Sequence, residues 1–132
     1  QVIPVLRVFD YHKTLQFYVD WLGFEILWLH RFDEEAPLYM EIQYGTLHLH
    51  LSEHHGDCTP GSKVFVWCDG LVAYHQQLLA KGYAYNKPRL EKTFYDAVAC
   101  TVTDPFGNQI VFNELYDADK HQNVIFDSNH GQ

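Results

Sequence analysis

The sequence predicts an α+β protein in which a strand–helix–three-strand unit (βαβββ) is used twice. Asp10 and Gly23 stand 13 residues apart, and so do Asp69 and Gly82. Each pair brackets a stretch with helical spacing, follows a β-rich run and precedes a β-hairpin pattern. A repeat of this kind predicts two similar modules in one domain.

We place that domain at residues 1–114, with module one at about 1–53 and module two at about 62–114. Residues 115–132 are polar and without a clear pattern, so we interpret them as a C-terminal tail. A chain of 132 residues with 47% hydrophobic residues is long enough and apolar enough to bury a core.

In module one, a first strand is predicted over Val2–Val8. Asp10 is then a helix N-cap, and Gly23 ends the helix. Phe24–Leu29 is predicted as the second strand, and the charged segment after it as a loop.

A hairpin completes module one. Leu38–Tyr44 alternates apolar and polar residues, Gly45 turns the chain, and Thr46–Ser52 alternates again with His48 and His50 on one face. One face of the hairpin is therefore apolar, and the other combines aromatic and polar side chains.

Module two repeats the order of elements. Its strands are predicted at Lys63–Cys68 and near 83–87, 97–103 and 109–114, and its helix at Leu71–Lys81. Asp104-Pro-Phe-Gly-Asn108 is predicted as a tight turn, because Pro fixes φ and Gly and Asn tolerate positive φ.

Composition excludes several classes of partner. A net charge of −8 disfavours nucleic acid, because phosphate backbones are repelled. No apolar run reaches the roughly 18–20 residues of a membrane helix. Three cysteines, Cys58, Cys68 and Cys100, without a CxxC motif predict free thiols in a reducing cytoplasm.

The chain resembles the glyoxalase/bleomycin-resistance/extradiol-dioxygenase superfamily, which has the vicinal oxygen chelate fold. The matching runs are Val2-Ile-Pro-Val-Leu-Arg-Val-Phe-Asp, Leu22-Gly-Phe-Glu25, Val66-Trp-Cys-Asp-Gly-Leu and Thr103-Asp-Pro-Phe-Gly-Asn-Gln-Ile. Pro4 and Phe65-Val-Trp67 resemble the bleomycin-binding branch in particular. The resemblance implies paired modules forming a curved mixed sheet with a concave cup, and a homodimer.

The resemblance also implies four metal-ligand positions, which fall at Ile3, His50, Lys63 and Val111. Ile and Val have no lone pairs and a lysine ammonium repels cations, so His50 alone could ligate well. The sequence therefore predicts no metal centre of the family type. It also carries no P-loop, nucleophile elbow or dinucleotide fingerprint, and we expect no cofactor.

A different metal site is a weaker alternative. His48 and His50 share a strand face, and Glu41 on the neighbouring strand could add a carboxylate. With these ligands the chain would be a metal-dependent lyase, isomerase or dioxygenase of the same superfamily.

The cup positions instead predict an aromatic-walled ligand site with a few hydrogen-bonding groups. Arg7 is also placed in the lining. The predicted ligand-binding residues are Trp28, Phe32, Tyr39, His48, His50, Phe65, Trp67 and Tyr95. We expect a non-enzymatic cytoplasmic protein that sequesters a cationic aromatic antibiotic of the bleomycin type. A cup that binds an endogenous metabolite for regulation is a further alternative.

Overall fold

A computed structural model describes residues 1–126. It contains two four-stranded mixed sheets with strand orders β1-β4-β3-β2 and β5-β8-β7-β6. The strands of the first sheet are β1 (Val5–Arg7), β2 (Glu25–Arg31), β3 (Leu38–Tyr44) and β4 (Leu47–Ser52). Those of the second are β5 (Lys63–Trp67), β6 (Leu90–Lys92), β7 (Ala97–Thr103) and β8 (Gln109–Leu115). The predicted pair of βαβββ modules is confirmed.

The chain divides into two compact units that differ slightly from the predicted modules. The first comprises Gln1–Lys63 with Thr103–Gln109, and the second Val64–Val102 with Ile110–Gln132. The predicted turn at Asp104 therefore packs with the first unit, although it joins two strands of the second sheet. None of the described helices is long and apolar enough to cross a membrane.

The first helical segment starts as α1 (Tyr11–Thr14) and continues as a π-helical segment over Leu15–Trp21. Asp10 caps it as predicted, since its carboxylate accepts the Lys13 N–H at 2.9 Å. In the π-helical part, Leu22 N–H donates to the carbonyl of Phe17, five residues earlier. Helical spacing in the sequence did not reveal this wider winding.

Aromatic and aliphatic side chains fill the core of the first unit. Phe17, Tyr18 and Trp21 are buried along the helix, and so are alternate residues of β3 and β4: Leu38, Met40, Ile42, Leu49 and Leu51. The alternation in Leu38–Tyr44 is thus confirmed, because every second side chain is buried.

The Tyr18 hydroxyl donates to Asp104 Oδ2 at 2.7 Å inside this core. Burial, and then the Asp104 charge, raise the pKa of Tyr18 well above its usual value. Asp104 also accepts the backbone N–H groups of Phe106 and Asn108, each at 2.8 Å. The side chain of Asn108 donates to the Arg7 carbonyl at 2.7 Å. Hydrogen bonds therefore fix the Asp104 turn to the core of the first unit.

In the second unit, α2 spans Leu71–Ala80 and a short helix α3 spans Ala118–His121. The strand predicted near 83–87 is wrong, since the third-from-last strand is β6 at Leu90–Lys92. Pro88 explains the shift, because it has no N–H and restricts the residue before it. Part of the predicted tail is ordered, with His121 of α3 buried.

All three cysteines are free, as predicted. Burial raises the pKa of the Cys68 thiol to about 11 and that of Cys100 to about 12. Both thiols therefore stay protonated at neutral pH and are poor nucleophiles.

Candidate ligand-binding site

A polar and aromatic cluster lies on one face of the first sheet, built by strand register. Trp28 of β2 pairs with Glu41 of β3, and Glu41 pairs with His50 of β4. Paired residues point to the same face of a sheet, so their three side chains form one row across three strands. Tyr39 and His48 flank the row on the same face, at i±2 from Glu41 and His50. We call these five residues the first-sheet cluster.

Glu41 is the centre of the first-sheet cluster. Its Oε2 lies 2.7 Å from His48 Nδ1, and its Oε1 accepts the Trp28 indole N–H at 3.0 Å. His50 Nε2 lies 3.3 Å from Oε1, close enough for electrostatic attraction. That nitrogen is buried and not aligned for a hydrogen bond to any described residue. Three ring nitrogen atoms thus surround one carboxylate.

The hydrogen bond with His48 is the largest cause lowering the pKa of Glu41. Burial opposes it, and His50 and Trp28 lower the pKa further. Glu41 is therefore ionised at neutral pH. An ionised carboxylate only accepts hydrogen bonds, so His48 carries its proton on Nδ1.

The aromatic members of the cluster are in ring contact. Tyr39 is stacked on Trp28, with centroids 5.8 Å apart and 8° between planes. Its hydroxyl lies 2.7 Å from His50 Nδ1. Burial, and then the negative charges around it, raise the pKa of Tyr39, so the phenol stays protonated. Four of the sequence-predicted residues are thus brought together: Trp28, Tyr39, His48 and His50.

A separate aromatic cluster lies in the second unit. Phe65 and Trp67 are alternate residues of β5 with ring centroids 5.2 Å apart. Tyr95, in the loop before β7, lies 5.8 Å from Phe65 and 6.3 Å from Trp67. The Tyr95 hydroxyl donates to Asn113 Oδ1 at 2.5 Å, which holds its ring in place. We call Phe65, Trp67 and Tyr95 the aromatic triad.

The triad is open to solvent, with Phe65 49% and Trp67 54% exposed. Beside Trp67 lies a cleft of about 520 Å³, lined also by Cys68, Asp69, Glu114, Tyr116 and Lys120. An exposed aromatic surface next to a cleft with polar groups has the composition of a small-molecule site. Phe32, the remaining predicted residue, is exposed after β2 and makes no ring contact within residues 1–126.

The family metal positions do not fit a metal ion. Val111 is buried, and Ile3 and Lys63 supply no ligand. The alternative set of Glu41, His48 and His50 is also unsuited, because the Glu41 carboxylate is already engaged in hydrogen bonds with His48 and Trp28. Within residues 1–126, no group of three or more His, Cys, Asp or Glu side chains could hold a metal.

Sequence reasoning missed a second carboxylate–histidine pair. Glu114 of β8 accepts the N–H groups of Gly70 at 2.9 Å and Leu71 at 3.4 Å, where α2 begins. His121 Nε2 lies 2.9 Å from its Oε1, and His121 Nδ1 accepts the Asp117 N–H at 3.0 Å. Because Nδ1 accepts, the proton sits on Nε2 and is donated to Glu114.

Burial alone would raise the pKa of Glu114, but hydrogen bonds from His121, Gly70 and Leu71 outweigh it and leave the pKa below its usual value. The sequence offered one signal for this site, Asp117 before Ala118, which is an N-cap pattern. Glu114 also binds Gly70 and Leu71, which precede it by more than 40 residues in the sequence. No local sequence pattern predicts that contact.

Comparison with known proteins agrees with the fold. A bleomycin-binding protein complexed with bleomycin is 23% identical with a TM-score of 0.64, covering 86% of this chain and 97% of its own. The bleomycin resistance determinant encoded on transposon Tn5 is 24% identical with a TM-score of 0.66, covering 87% and 97%. An antibiotic binding protein from Streptomyces sp. CB03234 is 19% identical with a TM-score of 0.63, covering 87% and 96%.

No protein with a curated function matches this sequence. At these identities the solved structures share the fold. The family is shown by the sequence itself, because the family model described as "Glyoxalase superfamily protein" matches residues 1–119. This chain belongs to the glyoxalase superfamily and has the glyoxalase/bleomycin resistance fold.

Proposed function

We propose that this protein is a non-enzymatic binding protein, similar to the bleomycin resistance proteins, that sequesters a cationic aromatic antibiotic. The observation that carries the proposal is the aromatic triad, whose rings contact one another while Phe65 and Trp67 remain about half exposed. A flat heteroaromatic ring stacked there gains about 0.5–1.5 kcal/mol per ring pair beyond area burial.

The first-sheet cluster supports a positive charge on the ligand. Glu41 is an ionised carboxylate next to two stacked aromatic rings, Trp28 and Tyr39. A carboxylate and aromatic faces both attract cations, and the net charge of −8 favours their approach. Taken separately, the triad favours flat rings and the first-sheet cluster favours an amine or guanidine group, and a cationic aromatic antibiotic offers both.

Capture needs no catalytic group. Most polar atoms of the first-sheet cluster are engaged with each other: His48 and Trp28 with Glu41, and Tyr39 with His50, while His50 Nε2 makes no hydrogen bond to a described residue. Such a network holds a fixed surface rather than a free nucleophile. Solved relatives of the same fold include a bleomycin-binding protein complexed with bleomycin and an antibiotic binding protein, which makes bleomycin the first ligand to test.

Isothermal titration of the purified protein with metal-free bleomycin tests the proposal. We expect saturable binding with a dissociation constant below about 100 μM, which corresponds to more than about 5 kcal/mol. A Tyr85→Ala variant is a matched control, because Tyr85 is an exposed aromatic residue outside the triad. Absence of heat and of saturation at that concentration would contradict the antibiotic assignment and leave the fold assignment intact.

We also propose that the protein acts as a homodimer in the cytoplasm. β2 is an edge strand that pairs with β3 alone among the described strands. Four consecutive apolar side chains on its two faces are 38–45% exposed: Ile26, Leu27, Trp28 and Leu29. An open edge of this kind invites pairing with another chain. The free thiols support a reducing compartment.

Sedimentation velocity at several concentrations measures the oligomeric state. We expect a dimer for the unaltered chain and a shift to monomer for Leu27→Glu, since a buried unpaired charge opposes association. Leu79→Glu is the control, because Leu79 is similarly exposed on α2. A monomer at all concentrations would overturn the dimer proposal.

A further inference from the structure

Arg7, at the end of β1, is a buried cation that forms no ion pair with any residue in the described range 1–126. Arg7 is 9% exposed, and its Nε makes no hydrogen bond to any described residue. Nη2 donates one long hydrogen bond of 3.3 Å to the backbone carbonyl of Glu53. The guanidinium carbon lies 4.6 Å from the centre of the Phe9 ring. A buried charge with so few partners is costly unless something else neutralises it.

The carboxylates near Arg7 are bound elsewhere. Glu53 Oε1 accepts Arg31 Nη2 at 3.2 Å and the Leu38 N–H at 2.9 Å. Asp57 Oδ2 accepts the Ser52 hydroxyl at 2.6 Å. Asp57 and Arg7 both act on the Cys58 thiol, whose pKa is raised by burial and then Asp57, and lowered by Arg7. Asp57 and Arg7 both act on Cys58, but no ion pair joins them among the described residues.

Arg31, at the end of β2, is a second arginine with an unpaired Nε. Nη1 donates to the Glu34 carbonyl at 3.0 Å, and Nη2 binds Glu53. Both guanidinium groups therefore attach to the same residue, Arg7 through the Glu53 backbone and Arg31 through its carboxylate. Arg7, Arg31 and Glu53 together carry one excess positive charge.

A cleft of about 300 Å³ opens beside this group in the first unit. Its lining includes Phe9, Arg31 and Glu53, with the exposed Glu35 at its wall. Arg7 contacts two of these residues. Its guanidinium lies over the Phe9 ring and donates a hydrogen bond to the Glu53 carbonyl. The charge of Arg7 thus lies against two residues that line the cleft, and Arg31 lines the cleft itself.

We propose that this cleft is an anion-binding site, in which a carboxylate, phosphate or sulfate group is held by Arg31 and by the charge of Arg7. Guanidinium groups match the geometry of such oxyanions and bind them with charge-assisted hydrogen bonds. The bound anion would supply the missing neutralisation. Its residues differ from those of the first-sheet cluster and the aromatic triad, to which we assign the aromatic and cationic groups of the proposed antibiotic.

The test is thermal unfolding of the full chain with increasing inorganic phosphate or acetate, at an ionic strength held constant with sodium chloride. We expect the melting temperature to rise with phosphate beyond the chloride baseline. Arg7→Gln and Arg31→Gln should each weaken the phosphate affinity about tenfold or more, as charge-assisted hydrogen bonds are lost. Lys13→Gln removes an exposed charge from the same unit and should leave the phosphate effect unchanged.

Arg7→Met separates binding from folding. If Arg7 is kept for an anion, the Met variant retains or gains stability in chloride and loses the response to phosphate. The proposal is overturned if phosphate does not raise the melting temperature of the unaltered protein above that in chloride. It is also overturned if phosphate stabilises both Arg7 variants as much as the unaltered protein. Stabilisation by phenyl phosphate as strong as by inorganic phosphate would identify the head group of a larger ligand. A response to inorganic ions alone would identify a free oxyanion.

Discussion

Among the described residues, each of the two units has one carboxylate bound to histidine, Glu41 in the first and Glu114 in the second. Glu41 stands on an open sheet face, with a side chain 13% exposed and ring N–H partners from His48 and Trp28. Glu114 has a side chain 5% exposed and binds backbone N–H groups together with the buried His121. Both carboxylates bind a histidine, but the other hydrogen bonds of Glu41 come from a side chain and those of Glu114 from the main chain.

Because of this difference, we expect Glu41 to shape a binding surface and Glu114 to connect structural elements. Removing Glu41 would alter the charge and ring positions of an exposed face, while its strands remain paired through their backbones. Removing Glu114 would leave two N–H groups of α2 and the proton of His121 without an acceptor inside the protein. We therefore expect Glu41 substitutions to change binding and Glu114 substitutions to change stability.

The largest effect is expected for Glu114→Ala. It breaks a buried pair and uncaps α2, and should lower the free energy of unfolding by about 3–5 kcal/mol. Urea denaturation followed by circular dichroism measures this loss. Glu91→Ala on β6, where the side chain is exposed, is the control with little expected change. A loss below about 1 kcal/mol for Glu114→Ala would show that water replaces the missing carboxylate.

Trp67→Ala tests the aromatic triad. Because Trp67 is about half exposed, its removal should cost little stability but weaken bleomycin binding by about 30-fold, the loss expected for an aromatic hot spot worth about 2 kcal/mol. Titration calorimetry with the Tyr85→Ala control measures the change. If Trp67→Ala and the unaltered protein bind bleomycin with equal affinity, the triad is not part of the binding surface.

Glu41→Gln tests the charge of the first-sheet cluster with little change in shape. We expect about fivefold weaker binding of a cationic ligand, the range of a partly exposed ion pair. The effect should shrink as salt is added, because screening weakens the attraction of the unaltered carboxylate. A loss independent of salt would instead point to a hydrogen bond rather than to charge.

Acid should produce the smallest effect. The pKa of Glu41 and that of Glu114 are both lowered from the usual 4.5, so both carboxylates stabilise the fold above that value. The stabilisation is lost as pH falls through the lowered folded-state pKa values. Unfolding measured between pH 6 and about pH 3 should therefore show decreasing stability, with a shallower slope for Glu114→Gln. A slope unchanged in that variant would exclude Glu114 as a contributor.

The sheet faces were predictable from sequence because side-chain direction alternates along a strand. Leu38–Tyr44 buries every second residue, and the same rule placed Tyr39, His48 and His50 together on the opposite face. Phe65 and Trp67 followed equally from alternation in β5. Local periodicity is enough wherever a residue's role depends on which face it occupies.

Contacts between distant segments were not predictable. Glu114 meets Gly70 and Leu71 through backbone groups, which leave no trace in residue type. The position of β6 depended on Pro88 rather than on the apolar pattern near 83–87. Glu41 was placed beside His48 and His50 only as a possible metal ligand. Its hydrogen bonds to His48 and Trp28 were not predicted, because these residues come from the strands on either side and only register brings them together.

Glu114 also provides a natural reporter of local opening. N–H groups in the first turn of a helix usually exchange quickly with solvent deuterium, since they lack an intrahelical acceptor. Here Gly70 and Leu71 donate to a carboxylate that His121 holds in place. Their amide protons should exchange slowly while α3 is docked and rapidly when it detaches. Two resonances in module two would thus read out the attachment of a helix about 50 residues further along the chain.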